Sequence, residues 1–240
     1  MPSLKLVSFN THYGVLPKHG TGKRGYNVAQ VLDGFDADVI VVQEVWRPDD
    51  DVGPIDAAAA ELGLTLEHEE LGRATMIARW PHPTTRRGEG TYGVAVLTKL
   101  PIRRVGAIPV GPTHLDPAPC RTVLHVELDV DGTAAQLLAL HLTSRLPHGP
   151  VQQLRALARA VPPAGQPVII AGDCNFWGPG VRTLFRGWRR AVRGRTWPAL
   201  RPHSQIDHVL VRPGDVEVVS GAVLPDVGSD HRPVRVELRF

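Results

Sequence analysis

The stretch Val168-Ile169-Ile170-Ala171-Gly172-Asp173-Cys174-Asn175 decides how the rest of this sequence is read. Small and branched apolar residues following Pro167 predict a short strand buried on both faces. That strand runs straight into Gly172, Asp173 and Asn175. Side chains alternate along a strand, so Asp173 and Asn175 point one way and Cys174 the other. Two steps of strand rise separate the roots of Asp173 and Asn175 by about 7 Å, close enough to flank one small ligand group. An acid that can take a proton, beside an amide that can donate to a developing oxyanion, suits chemistry on a phosphate. Gly, Asp and Asn are also the commonest turn formers, so taken alone the motif is more ordinarily a strand ending in a turn. The rest of the chain reverses that preference.

Outward from this strand, the same pattern of an apolar run ending in a polar residue recurs. Residues 4–9 alternate and run into Asn10. Residues 38–45 form a second apolar strand carrying Glu44, which a buried strand tolerates only if the acid is paired or on a metal; the alternative is an acid just past the strand end, in water. Residues 135–141 end in His141, and a lone histidine there is more often simply hydrogen-bonded. Residues 206–211 carry Asp207 and His208. Asp230 and His231 precede a last alternating strand at 234–238, where they read as a metal ligand and a proton acceptor or equally as turn residues. Further strands are expected at 64–70, 74–79, 93–98, 102–110, 122–130 and 216–223, with Asp131-Gly132 as a hairpin signal.

Helices are expected at 27–35, capped by Asn27, at 54–62, and at 150–161 with an apolar stripe of Val151, Leu154, Leu157, Ala158 and Val161. A fourth, at 179–195, would place Arg182, Arg186, Arg189 and Arg193 on one face, read as a basic solvated face or as a phosphate contact. The connection 11–25, with His12, His19, Gly14, Gly20 and Gly22, is long enough to be a candidate binding loop. Residues 81–90 read as a turn-rich polar loop carrying Arg86 and Arg87.

A chain of 240 residues buries roughly 70–75% of its unfolded surface and needs no staples. Its two cysteines, Cys120 and Cys174, make neither a disulfide framework nor a CxxC pair, as in a reducing compartment. Apolar runs fall far short of a membrane span, and the first ten residues carry no signal-peptide pattern. A cytoplasmic protein without stable membrane insertion, acting as a monomer, is expected. A formal charge of +3 and a pI near 9.1 mildly favour a phosphate-bearing partner. The eleven histidines include no HxxxH or HxH pair at zinc-ligand spacing. The polar strand ends are spread from Asn10 to His231, so a shared site needs the whole chain, and one domain over 1–240 is expected.

Six pieces in order carry a family resemblance: Ser8-Phe9-Asn10, Gln43-Glu44-Val45, His141-Leu142-Thr143, Gly172-Asp173-Cys174-Asn175, Gln205-Ile206-Asp207-His208 and Ser229-Asp230-His231-Arg232-Pro233-Val234. Together they make the sequence similar to the endonuclease/exonuclease/phosphatase superfamily. The resemblance implies a four-layer α/β/β/α sandwich, two mostly antiparallel sheets flanked by helices, with the site at one open end. It also implies magnesium, with manganese as a substitute. Carried over by position, Glu44 is the main metal ligand, with Asn10 beside it and Asp230 contributing. Asp173 orients or deprotonates the attacking water, and Asn175 binds a phosphoryl oxygen. His231 stabilises the pentacovalent state or serves as base, held in its tautomer by Asp207. His141 donates to a non-bridging oxygen. His12 stands where abasic-site enzymes carry an acid, which counts against a second metal position of that type. Phe176-Trp177-Gly178 and Ser204-Gln205-Ile206-Asp207 do not match the inositol-phosphatase motifs. The implied activity is metal-dependent phosphoester hydrolysis, first of all phosphodiester cleavage in DNA or RNA. The alternatives are a phospholipid headgroup or a small phosphomonoester on the same site.

Overall fold

The computed structural model describes residues 1–14, 26–78, 86–112, 116, 120–145 and 148–240. Strand periodicity sets its layers. In β1 (Ser3–Asn10), Leu4 and Leu6 turn to one side while Val7 and Phe9 turn to the other. In β2 (Val39–Pro48), Val39 and Val41 share the first side, and Ile40 and Val42 the second. Both strands therefore lie in a sheet covered on both faces, which is why they read as near-continuous apolar runs.

The first sheet adds β3 (Thr65–Ala78), β4 (Arg86–Thr98), β11 (Glu217–Val223) and β12 (Val234–Arg239), in the order β11-β12-β1-β2-β4-β3. The second contains β5 (Ile102–Gly111), β6 (Arg121–Val130), β7 (Thr133–His141), β8 (Val168–Asp173), β9 (Arg189–Arg190) and β10 (Asp207–Val211), in the order β5-β6-β7-β8-β10-β9. Pairing is parallel between β1 and β2 and between β7 and β8, and antiparallel elsewhere. Each parallel step carries a helix: α1 (Val28–Asp33) lies between β1 and β2, and α3 (Gly149–Ala160) between β7 and β8.

The two sheets face each other across a core that includes Leu6, Val41 and Val94 from one and Val126, Leu137, Ile169 and Val209 from the other. On the outside of the first sheet, α1 and α2 (Pro54–Glu61) pack Val28, Leu32, Ile55 and Ala58 against Val7, Phe9, Ile40 and Val42. On the outside of the second, α3 and α4 (Gly178–Leu184) bring Leu154, Leu157 and Val181 against Leu138, Leu140 and Ile170. This is the four-layer sandwich the sequence implied. The Asn27 side chain accepts a hydrogen bond from the Gln30 amide, so the expected cap is in place. Among the described residues no helix is long and apolar enough to cross a membrane.

Three local expectations differ. Residues 64–70 and 74–79 are not two strands but one, β3, which passes a bulge between Glu70 and Gly72. Its partner β4 begins at Arg86, because Arg86–Gly90 pair with Ala74–Ala78, so 86–90 of the expected polar loop are strand. Residues 79–85, and the side chains of Arg86 and Arg87, lie outside the described residues, as do His19, Gly20 and Gly22 of the candidate loop. The arginine-rich segment is helical only to Leu184; Gly187 adopts φ 82°, and Arg189 and Arg190 form β9. Arg182, Arg186, Arg189 and Arg193 therefore do not share a helix face.

Candidate active site

Strand register brings the polar strand ends together. His141, Asp173 and Asp207 are paired in a row across β7, β8 and β10. All three share the face that turns Ala139, Ala171 and Val209 toward the opposite sheet. Cys174 points the other way, into the layer of α3 and α4. Across the gap, Asn10 ends β1 on the inner side of the first sheet, opposite Gln43. Its amide nitrogen lies 3.3 Å from Asp173 Oδ2 and 3.2 Å from Glu44 Oε1, so one side chain bridges the two sheets.

Two backbone features aim the acids. At Gly172 the chain takes φ 147°, and a Cβ there would run into the Leu140 carbonyl oxygen, so only glycine lets β8 lie this close to β7 before Asp173. In β2 a bulge between Gln43 and Val45 leaves Glu44 without a strand partner and at φ 57°. Bulges of this kind re-aim a side chain beside functional sites, and a left-handed Glu is held there only because the surroundings require it.

Asp173 is the hub. It is buried, and its Oδ1 accepts the Asn175 backbone N–H at 2.7 Å. Around Oδ2 stand the Asn175 amide at 3.4 Å, His141 Nε2 at 3.8 Å and His231 Nε2 at 3.9 Å. Asn175 also donates to the Leu142 carbonyl at 2.9 Å. His231 Nδ1 lies 3.1 and 3.0 Å from the two oxygens of Asp207. Burial would lower the His231 pKa, but the charge of Asp207, the hydrogen bond to it, and the charges of Asp173 and Asp230 outweigh burial and hold the imidazole at about 10. Burial, reinforced by the charge of Asp207, pushes the Asp173 carboxyl above the usual carboxylate range. Burial, helped by Arg121 and His231, keeps His141 neutral.

The second half of the site contains Glu44, Asp230 and His12. His12 Nδ1 lies 3.2 Å from Asp230 Oδ1 and 4.0 Å from Glu44 Oε2. The hydrogen bond to Asp230 raises the His12 pKa against the effect of burial. Burial raises Glu44, and its Oε2 is a buried carboxylate oxygen with no hydrogen-bond partner. An unpartnered buried carboxylate oxygen, with an Asp and an Asn side chain nearby, is a donor set that fits a hard divalent cation retaining much of its water. Asp173, Asp207 and His231 also offer ligand atoms within 4.8 Å of one another. In that trio, however, the imidazole is already paired with Asp207, which leaves one uncompensated carboxylate, Asp173, itself raised toward neutral pH by burial. Of Asp173 and Glu44, Glu44 is the acid with an oxygen that lacks a hydrogen-bond partner.

Several supporting residues carried little signal in the sequence. Thr196 Oγ1 accepts the backbone N–H groups of Ile206 and Asp207. Ser229 Oγ donates to the Asn10 carbonyl at 2.7 Å, tying the Asp230 segment to the end of β1. Buried Arg121 pairs with Asp116 at 3.0 Å and donates to the His141 carbonyl at 3.2 Å. Ser229 stands inside the Ser-Asp-His-Arg-Pro piece and Thr196 inside Gly194-Arg195-Thr196-Trp197-Pro198, whereas nothing around Arg121 marks it.

Comparison with known proteins bears on this geometry. The model of the endonuclease/exonuclease/phosphatase family matches residues 7–231. An uncharacterized protein of Escherichia coli K12, YbhP, is 27% identical over 259 residues, covering 99% of this chain and 97% of that protein. An endonuclease/exonuclease/phosphatase from Beutenbergia cavernae superimposes with a TM-score of 0.76 at 23% identity, covering 100% of this chain and 72% of the other. A protein of the same family from Leptotrichia buccalis gives 0.74 at 15% identity, over 99% of this chain and 100% of the other. At these identities the two structures speak for the fold alone.

Proposed function

The chain belongs to the endonuclease/exonuclease/phosphatase family, whose members hydrolyse phosphoesters, and on that premise we propose that it is a magnesium-dependent phosphodiesterase acting on nucleic acid. The observation that carries this reading is the placement of buried Asp173 among His141, His231, Asn10 and Asn175, next to the unpartnered oxygen of Glu44. The basic balance of the chain, +3 at neutral pH, favours a polyanionic substrate. A single domain formed by the whole chain is part of the reading, since both sheets contribute to the site.

Each side chain has a role that its surroundings support. Asp173, its pKa raised by burial and by Asp207, is the proton acceptor for the attacking water near neutral pH. His231, held as an imidazolium by Asp207, is better suited to stabilise negative charge on the phosphoryl oxygens than to accept a proton. Neutral His141 donates from Nε2 to a non-bridging oxygen. Asn175 can exchange its long 3.4 Å bond to Asp173 for one to a phosphoryl oxygen. Glu44 would hold the cation, with Asp230 and Asn10 completing the set. When bound, the ion supplies Lewis-acid neutralisation of phosphate charge.

The test compares bis(p-nitrophenyl) phosphate with p-nitrophenyl phosphate, with magnesium and with EDTA. Preference for the diester, lost in EDTA, is expected. Hydrolysis of the monoester alone would turn the reading to a phosphomonoesterase.

A further inference from the structure

The arginines that failed to form a helix face meet elsewhere. Arg182 from the last turn of α4, Arg189 and Arg190 from β9, and Arg193 line an open depression of about 860 Å³, walled by Trp188 and Gly221. Among its lining residues there is no carboxylate. Four guanidinium groups gather here in a chain whose whole net charge is +3. Four other arginines each face a carboxylate: Arg47 with Asp56, Arg73 with Asp49, Arg103 with Asp129, Arg121 with Asp116. Here Arg190 bonds only the neutral Gln205 side chain, and its Nε is buried without a partner. Burial and the charges of Arg193 and Arg182 push the Arg190 pKa down, so these groups repel one another. A bound polyanion relieves that repulsion.

The depression borders the strand that carries Asp207. Arg190 and Arg189 pair with Leu210 and Val211 on β10, three and four residues along the strand from Asp207. That distance is about 10–13 Å at the usual strand rise, a span within reach of a few nucleotides of unpaired strand. The Arg190 guanidinium also lies against Gly178, just after Asn175-Phe176-Trp177. Phe176 and Trp177 stack with ring centroids 6.0 Å apart and an interplanar angle of 27°, and Trp177 is 54% exposed. An exposed aromatic face beside a cationic track is how unpaired strands are held, with bases stacked and backbone phosphates neutralised.

We propose that this depression binds the phosphate backbone of a single-stranded nucleic acid whose scissile phosphate sits at Asp173, with Trp177 stacking an intervening base. The inference rests on the nuclease reading above and narrows it to an unpaired strand several nucleotides long.

The test is fluorescence anisotropy with labelled oligothymidylates of two to twelve nucleotides, on Asp173→Asn protein in EDTA so that the strand stays intact. Affinity should climb with length to about four or five nucleotides and then level. The triple substitution Arg182→Ala, Arg189→Ala, Arg193→Ala on this background, with folding checked by circular dichroism, should weaken twelve-nucleotide binding by at least about tenfold. It should also flatten the salt dependence by about two log units per log unit of salt, as expected for three lost phosphate contacts. Trp177→Ala should weaken the single strand on the order of tenfold. Unchanged affinity and salt slope in the folded triple variant would overturn the proposal, as would equally tight binding of a hairpin duplex by the parent. Bis(p-nitrophenyl) phosphate hydrolysis by the unsubstituted chain separates the two readings. Hydrolysis with arginine-independent oligonucleotide binding refutes the depression alone. Arginine-dependent binding without hydrolysis of any diester refutes the catalytic reading alone.

Discussion

Replacing Asp207 by Asn removes the negative charge that holds His231 as a cation, with almost no change in shape. The imidazole stands at about 10 in the folded chain, against an ordinary value of about 6.5. Across those ~3.5 units, at about 1.36 kcal/mol each, the carboxylates around the imidazole, Asp207 first among them, together contribute on the order of 5 kcal/mol net of burial. Because the folded pKa is the higher one, this stability is complete below about pH 6.5 and is lost as pH rises toward about 10. Asp173, also raised, loses its contribution lower, from its ordinary range up to about 7. Cys174 and the raised tyrosines Tyr13, Tyr26 and Tyr92 begin to contribute only above about pH 8.5–9. Between about pH 7 and 8.5, above the Asp173 range and below that of Cys174, the difference between the two proteins follows His231. Urea midpoints measured in EDTA should show Asp207→Asn below the unsubstituted chain at pH 7, and the gap should shrink by up to about 2 kcal/mol by pH 8.5. Two stability curves that stay parallel over this range would refute the claim that Asp207 holds a charged His231.

Asp173→Asn should lower turnover by about 10²–10⁴-fold with the fold intact, and His231→Ala by a comparable factor; near-normal turnover by either removes that residue from the catalytic set. Glu44→Gln should raise the magnesium concentration for half-maximal activity by on the order of 10–100-fold or more, and an unchanged metal titration takes Glu44 off the ligand list. Gly172→Ala must force the Leu140 carbonyl aside at φ 147°, so a loss on the order of 3 kcal/mol in urea unfolding is expected, and normal stability would mean that β7 and β8 have room to part.

The layers were legible because burial on both faces leaves a direct imprint. A strand covered by a facing sheet and by helices is apolar on both faces, as in the runs 39–42 and 168–171 and, apart from Lys5 and Ser8, in 4–9. The polar ends of those strands could be listed from sequence, but only register shows that His141, Asp173 and Asp207 stand in one row. Glu44 was ambiguous between metal ligand and solvated acid because its placement depends on a one-residue bulge, which leaves no mark in composition. The arginine segment misled because its three-to-four-residue spacing matches a helix, while the helix ends at Leu184, Gly187 turns the chain, and the clustering of Arg182 with Arg189, Arg190 and Arg193 is made by β9 pairing. Thr196 and Arg121 act through backbone groups distant in sequence, a kind of contact that spacing does not encode.

The most direct measurement is cleavage of a labelled twenty-nucleotide single-stranded oligonucleotide, with magnesium, with EDTA, and with Asp173→Asn. Cleavage by the unsubstituted chain that requires both the metal and Asp173 is the predicted result. Cleavage that persists in EDTA or in the variant, or an intact strand after incubation with folded, magnesium-bound protein, would contradict the account.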